Sequence, residues 1–430
     1  MRPAAELRQL PAGDVRLAGA RPPVDLAAIG WTETEYLASG TAVSVSGAEA
    51  PYCVRVVLRR PPQTAASGTA VVEWLNVSSG REAAPEWTYV SAEIVRRGHV
   101  YAAVSAQYVG VEGGTGSVTV GEGLGAPGGL KGEDPERYGS MSHPGDAWCF
   151  DIYSQIAVAV GGLVDAELLL AAGESQSACT LSRYLASVHV QHRVFHGFLV
   201  HSRGGALPPS EPAAEQYTMA EILASNVGRL PDDLDARVVV VQTETDVLGR
   251  MNSFPARQPD GPSLRTWEVA GTAHADLFQI GEFEEFLGCP TPVNRGQQVF
   301  VLRAALRALE EWVRDDQAPP SAQELEVRCG AYVLDEVGNT RGGVRTPAVD
   351  VPVEMLSGFS TPEATIICQL FGSTTALDSA TVAGLYSSRE EYLTQYENAA
   401  RAMVGAGFAL AEDLDELFAD AVVRADQVDA

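Results

Sequence analysis

The sequence predicts an α/β fold with a mostly parallel central sheet flanked by helices, and three observations carry that expectation. Short apolar, β-branched runs recur along the chain, several followed by stretches suited to helices. One of them, Val238-Val239-Val240-Val241, is a run of four valines between polar residues, as in a central parallel strand buried on both faces. A Gly-x-Ser turn, Gly173-Glu174-Ser175, lies between an apolar run, residues 166–172, and a helix-compatible stretch, residues 178–188.

Residues 36–60 alternate in polarity, as in Ala42-Val43-Ser44-Val45-Ser46, and predict an antiparallel start to the sheet. Residues 69–77 form a strand candidate ending in Ser78-Ser79-Gly80. Residues 86–97 suit a helix stopped by Gly98, and residues 99–105 read as the next strand. Residues 109–132 are rich in glycine, and so long a loop is expected to border a pocket. Residues 146–164 predict the helix leading to the strand before the Gly-x-Ser turn, and residues 194–200 the strand after it. A Pro-rich stretch, residues 204–236, stands where a lid would insert. The valine run and residues 263–269 supply the last two strands of the sheet. Val299, Leu302, Leu306, Leu309 and Val313 give residues 293–315 helical spacing, and Ala318-Pro319-Pro320-Ser321 breaks the chain. Residues 324–353 are rich in β and turn signals, and residues 389–428 in helical ones. The expected organisation is a core over residues 1–290, with lid insertions at about 109–147 and 204–236, and a cap-like extension over 291–430.

Strand, sharp Gly-x-Ser turn and helix is the layout of a nucleophile elbow, in which the serine sits on a strained turn above the sheet. Here the motif is Gly173-Glu174-Ser175-Gln176-Ser177, with Ser177 where the usual pattern has glycine. The backbone N–H of Gln176 is placed to face a developing oxyanion. A serine nucleophile needs a base, and the base an orienting acid, in α/β-hydrolases in the chain order Ser, acid, His. The carboxylates just past the valine run are Glu244 and Asp246; Asp246 is the expected acid and Glu244 the alternative. Of seven histidines only His274 lies beyond them, so it is the expected base. His201, a rival base, precedes both acids; it, Arg203 and Glu174 are expected to line or support the site. A second oxyanion donor is expected from the loop after residues 69–75, at Asn76 or Val77.

These residues, with Val72-Glu73-Trp74-Leu75-Asn76-Val77, Asp134-Pro135-Glu136-Arg137-Tyr138-Gly139, Gln242-Thr243-Glu244-Thr245-Asp246 and Gly338-Asn339-Thr340-Arg341-Gly342-Gly343-Val344-Arg345-Thr346-Pro347, carry a resemblance. The chain resembles a large α/β-hydrolase domain family of actinobacterial and proteobacterial hydrolases and esterases along nearly its whole length. The resemblance implies the α/β-hydrolase fold and a serine hydrolase acting on esters. It also brings the 342–347 segment near the site, where the alternative is a structural turn with Arg345 in a salt bridge.

Composition bounds the rest. At 430 residues, 46% hydrophobic and 20% charged, the chain can bury a sizeable core. A net charge of −26 argues against nucleic-acid and anionic-membrane partners, which require positive patches. The expected partner is a small-molecule ester, with oligomeric state left open. No His or Cys spacing suits a metal, and no cofactor is called for. The six cysteines, scattered without C-x-x-C spacing, are expected to be free thiols, and Cys179 to pack in the core. The N-terminus has no secretory pattern, so cytoplasmic residence is the expectation. The same triad also serves acyltransferases, lactonases, amidases and carbon–carbon lyases. A non-catalytic binding protein on this fold is the remaining class, though such proteins usually lose a triad member.

Overall fold

A computed structural model describes residues 3–15, 17, 25–116 and 128–428. The middle of the glycine-rich stretch, residues 117–127, lies outside the described residues. The chain divides into two compact units, residues 1–238 with 255–263 and residues 239–254 with 264–430.

The first unit contains β1 (Glu6–Gln9), β2 (Thr32–Val43), β3 (Glu49–Arg60), β4 (Thr69–Trp74), β5 (Val100–Val104), β6 (Leu168–Glu174) and β7 (Gly197–His201). Their order is β1-β2-β3-β5-β4-β6-β7. β1, β2 and β3 pair antiparallel, as the alternating segment predicts, and β3 joins β5 antiparallel. β5, β4, β6 and β7 then run parallel. Every residue of β4, β5 and β7 is buried, which is why these strands lack period-two alternation.

Three helices of this unit bear on the elbow. α1 (Pro85–Arg97) begins with proline at N1 and ends at Gly98, φ 67°. A Cβ on Gly98 would lie 2.0 Å from the Ala65 carbonyl oxygen, so the helix stop admits glycine alone. α2 (Cys149–Leu163) precedes β6, and α3 (Gln176–Ser187) comes directly after the elbow. The Asp134–Gly139 motif is architectural. Asp134 caps the Arg137 N–H at 3.1 Å, while Arg137 Nε and the Tyr138 hydroxyl bind Glu35 at 2.8 and 2.7 Å. Arg55 joins Glu35 to Glu82 in the same buried network. Within residues 204–236, a short helix, Met219–Ala224, is capped by Thr218. Asp146 ties this insertion down by accepting the N–H groups of Tyr217 and Tyr108 at 2.9 and 2.7 Å.

The second unit holds most of β8 (Arg237–Thr243), with β9 (Leu264–Val269) as its neighbour, and α4 (Glu244–Leu248). α5 (Gln298–Asp315) starts five residues after its sequence signal. It buries Val299, Leu302, Leu306 and Leu309 as the spacing requires. Beyond it come a two-stranded ribbon, Val327–Arg328 with Ala331–Tyr332, then α6 (Ile366–Leu370), α7 (Arg389–Gly405) and α8 (Leu414–Arg424). Tyr392, Tyr396, Val353 and Ala421 form one core of this tail.

The cysteines correct one expectation. Cys289 and Cys368 are joined in a disulfide, whereas Cys53, Cys149, Cys179 and Cys329 are free. The bridge fastens α6 to the chain after His274, beside a small core of Ala275, Val293 and Phe371. Among the described residues no helix is long and apolar enough to cross a membrane.

Candidate active site

Ser175 is the N-cap of α3 and sits at φ 60°, ψ −120°. For a residue with a side chain this conformation costs about 1–3 kcal/mol, and it persists only where the surroundings hold it. Ser175 donates its N–H to the carbonyl of His201 at 3.0 Å, and its own carbonyl accepts the Cys179 N–H at 3.0 Å. A Cβ added at Gly173 would approach the backbone and hydroxyl of Ser177 to 3.3 Å, so strand and helix meet closely there.

Ser177, where the usual motif has glycine, is fully buried and braces the turn. Its hydroxyl donates to the Glu174 carbonyl at 2.7 Å and accepts the Glu174 N–H at 3.1 Å. Gln176 begins α3, where the first N–H groups have no partner within the helix. Its side-chain Oε1 is buried without a hydrogen-bond partner among the described residues.

Asn76 departs from its expected role. Its backbone N–H is committed to the Ala83 carbonyl at 3.0 Å and is therefore not free to receive an oxyanion. Its side chain acts as a clamp instead. Nδ2 donates to the carbonyl and the carboxylate of Glu174, both at 3.1 Å, and Oδ1 accepts the Ser78 N–H and hydroxyl at 2.8 and 2.7 Å. The loop after β4 is thus fastened to the residue that precedes the nucleophile. Val77 remains the loop candidate for the second donor.

The other residues expected around the serine have structural partners. Arg203 Nε binds the Gly204 carbonyl at 3.1 Å, its Nη2 binds the Gly228 carbonyl, and burial pushes its pKa down to about 10. Cys179 packs in the core, its Sγ accepting the Gly204 N–H at 3.2 Å. His201 places Nδ1 3.3 Å from the Glu86 carboxylate, both side chains being fully buried.

The second unit carries the candidate base and acid. Thr243 and Asp246 form a capping box at the start of α4, with Asp246 Oδ2 accepting the Thr243 N–H and hydroxyl, each at 2.7 Å. The remaining oxygen, Oδ1, lies 2.6 Å from His274 Nδ1. That contact fixes the proton on Nδ1 and leaves Nε2 as an acceptor, the tautomer a general base requires.

Glu244, the alternative acid, faces elsewhere. Its carboxylate accepts the N–H groups of Gly271 at 2.6 Å and Gly358 at 2.8 Å, and burial pushes its pKa up to about 6 against those bonds. It shapes the turn that carries the histidine.

The His274 turn is held by the tail of its own unit. The His274 N–H donates to Thr245 Oγ1 at 3.1 Å, and that hydroxyl donates to the Gly358 carbonyl at 2.5 Å. Gln298 on α5 binds the Ala273 carbonyl and Asp276, at 3.0 and 2.9 Å. The Ala275 N–H reaches Leu370 of α6 at 3.2 Å. Arg345 is spent on Asp335, Asp350 and the carbonyls of Thr340 and Val349, which makes the 342–347 segment a structural turn. Among the described residues no cluster of three His, Cys, Asp or Glu side chains could hold a metal.

A strained strand-to-helix serine stands in one unit and a buried Asp–His pair in the other. The chain belongs to the alpha/beta hydrolase domain family, whose model matches residues 3–419. No curated protein matches it significantly.

Several solved structures are similar to the chain at low identity. One comes from a study of two fungal esterases from Rhizomucor miehei, with 12% identity and a TM-score of 0.36 over 69% of this chain and 95% of that one. A hyperthermophilic esterase from the archaeon Pyrobaculum calidifontis shows 10% identity and a TM-score of 0.30, over 58% of this chain and 76% of that one. A structure from an analysis of two prolyl endopeptidases shows 12% identity and a TM-score of 0.33 over 57% of this chain. The chain covers 35% of that endopeptidase's length.

Proposed function

We propose that this protein is a serine hydrolase that cleaves a small carboxylic ester through an acyl-enzyme. The observation that carries the reading is the left-handed backbone of Ser175 at a strand-to-helix turn, because such strain is kept where a nucleophile must stand clear of the sheet. The Asp246–His274 contact of 2.6 Å supports the base and acid assignment.

In this mechanism His274 Nε2 takes the Ser175 proton as Oγ attacks the ester carbonyl. Asp246 stabilises the imidazolium, which then protonates the departing alkoxide. Water attacks the acyl-enzyme with His274 again as base, releasing the acid and regenerating Ser175. The backbone N–H groups of Gln176 and Val77 receive the oxyanion; one such donor is worth about 10²–10³ in kcat.

No metal or cofactor enters the scheme. The net charge of −26 supports an uncharged small substrate over nucleic acid or an anionic membrane. Cytoplasmic residence and the Cys289–Cys368 bridge pull in opposite directions, since cytosolic thiol pools keep such pairs reduced. Counting reactive thiols in freshly isolated protein decides between them.

The test is intact mass after incubation with a fluorophosphonate, for wild type, Ser175→Ala and His274→Ala. One adduct on wild type and none on either variant is expected, with kcat of Ser175→Ala down by several powers of ten. An unmodified, well-folded wild type would overturn the reading in favour of a non-catalytic binding protein. Product analysis with water and with an added alcohol separates hydrolysis from acyl transfer.

A further inference from the structure

We propose that Glu86 and His201 form a buried positioning pair that holds the nucleophile elbow in its reactive conformation. This inference rests on Ser175 being the nucleophile. It assigns a role to two side chains that the acyl-transfer steps do not use.

His201 is the last residue of β7 and stands opposite Glu174 in the β6–β7 register. Its carbonyl accepts the Ser175 N–H, which makes the 201 peptide a direct hold on the strained serine. The next residue, Ser202, is itself left-handed at φ 57°. Two unfavourable backbone conformations therefore meet at one hydrogen bond, and the orientation of the 201 peptide decides whether that bond is kept.

The His201 side chain is anchored from below. Its Nδ1 lies 3.3 Å from Glu86 Oε1, and its ring meets Tyr89 edge-on at 5.4 Å. Glu86 and Tyr89 both belong to α1, so the anchor is a rigid helix.

Glu86 is an unusual residue to find there. It is fully buried, and neither carboxylate oxygen has a hydrogen bond among the described residues. An unpaired buried carboxylate is costly, and the His201 imidazole is the polar ring within 4 Å of it. The neighbouring Glu73 does not share the load. It accepts the Glu86 and Trp87 N–H groups at 3.0 and 2.9 Å and the Tyr101 hydroxyl at 2.6 Å. Burial, then Glu86, pushes the pKa of Glu73 up to about 8. A buried carboxylate–imidazole pair on the residue that carries the serine's hydrogen-bond acceptor gives orientation to the 201 peptide, which apolar packing would supply less specifically.

The test separates positioning from fold stabilisation. Removing one partner strands a buried charge, whereas replacing both by apolar residues is often neutral for stability. The double variant Glu86→Leu/His201→Leu and the single variant Glu86→Gln are compared with wild type. The readouts are kcat and KM on a nitrophenyl ester, the rate of Ser175 modification by a fluorophosphonate, and melting temperature.

The expected result is a fall in kcat and in modification rate of roughly tenfold or more per folded molecule, with KM within about twofold, since small misplacements of reacting groups cost this much or more. Wild-type kcat and modification rate in the folded double variant would overturn the proposal. Should the double variant not fold, Glu86→Gln decides by the same criterion, because it keeps the shape and removes the carboxylate. A wild type that takes no label on Ser175 defeats the nucleophile assignment itself, a different outcome from a labelled wild type matched by its variants.

Discussion

Asp246→Asn is the substitution whose consequence the structure defines most closely. Asp246 Oδ2 is held by two donors on Thr243, the backbone N–H and the hydroxyl, each at 2.7 Å. An asparagine in this position must present its carbonyl oxygen to the Thr243 N–H, because turning its NH2 group there would set donor against donor. The NH2 group then faces His274 Nδ1, 2.6 Å from the present Oδ1. To accept from it, Nδ1 must give up its proton, and the imidazole proton moves to Nε2. The proposed base is thereby locked in a tautomer whose Nε2 cannot accept a proton.

In a Ser-His-Asp triad this change costs about 10⁴ in kcat, or about 5.5 kcal/mol of barrier at 1.36 kcal/mol per decade. The same logic exempts Glu244. Glu244→Gln sets one NH2 against the Gly271 or Gly358 N–H, at a stability cost of about 1–3 kcal/mol, and leaves the Asp246–His274 contact in place. The assay is kcat/KM on a nitrophenyl ester, normalised to the folded fraction from circular dichroism. Asp246→Asn within tenfold of wild type, or Glu244→Gln down a thousandfold, would refute the reasoning.

Two further outcomes arise from buried chemistry away from the reacting atoms. Glu73, held protonated up to about pH 8 by burial, favours the folded state at low pH. That contribution is full below its unfolded pKa of about 4.5 and is lost as pH rises through 8. Melting temperature should therefore fall between about pH 4.5 and pH 8, and Glu73→Gln should flatten the decline; an unchanged slope in the variant counts against it. The Cys289–Cys368 bridge spans 79 residues, worth about 4–5 kcal/mol by chain entropy. Cys289→Ser/Cys368→Ser should lower the melting temperature by on the order of 10 °C, and six reactive thiols in unreduced wild type would show that the bridge does not form.

The parallel strands and the elbow were legible because their signals are local. A strand buried on both faces writes a continuous apolar run, as Val238–Val241 does. Position in the chain singles out His274. What the sequence could not show depends on where a side chain points after folding. Glu244 and Asp246 lie two residues apart on one helical turn, yet one binds backbone at Gly271 and Gly358 and the other meets the histidine. At Asn76 the sequence suggests a backbone donor, but that N–H is bound to Ala83 and the side chain clamps Glu174, 98 residues away. Nothing in the spacing of Cys289 and Cys368 announces a bridge. Glu86 stands after a proline at a helix start, where acids are common for dipole reasons alone, and so carries no distinct signal. In the long tail, Gln298, Gly358 and Leu370 hold the His274 turn, a role no local signal announces.

The serine that ends the elbow motif shows how a departure from pattern can be a substitution of means. Glycine at that position permits close approach of helix and strand but makes no bond. Ser177 fits against Gly173, where an added Cβ would come within 3.3 Å of it, and adds two hydrogen bonds that fix the Glu174 peptide. The same peptide is held from the other side by Asn76, and the Ser175 N–H is held by His201. A net hydrogen bond is worth about 0.5–1.5 kcal/mol, so these contacts together match the roughly 1–3 kcal/mol that the serine conformation costs. The glycine-free ending is therefore tolerated because its hydroxyl helps to hold the strain at Ser175.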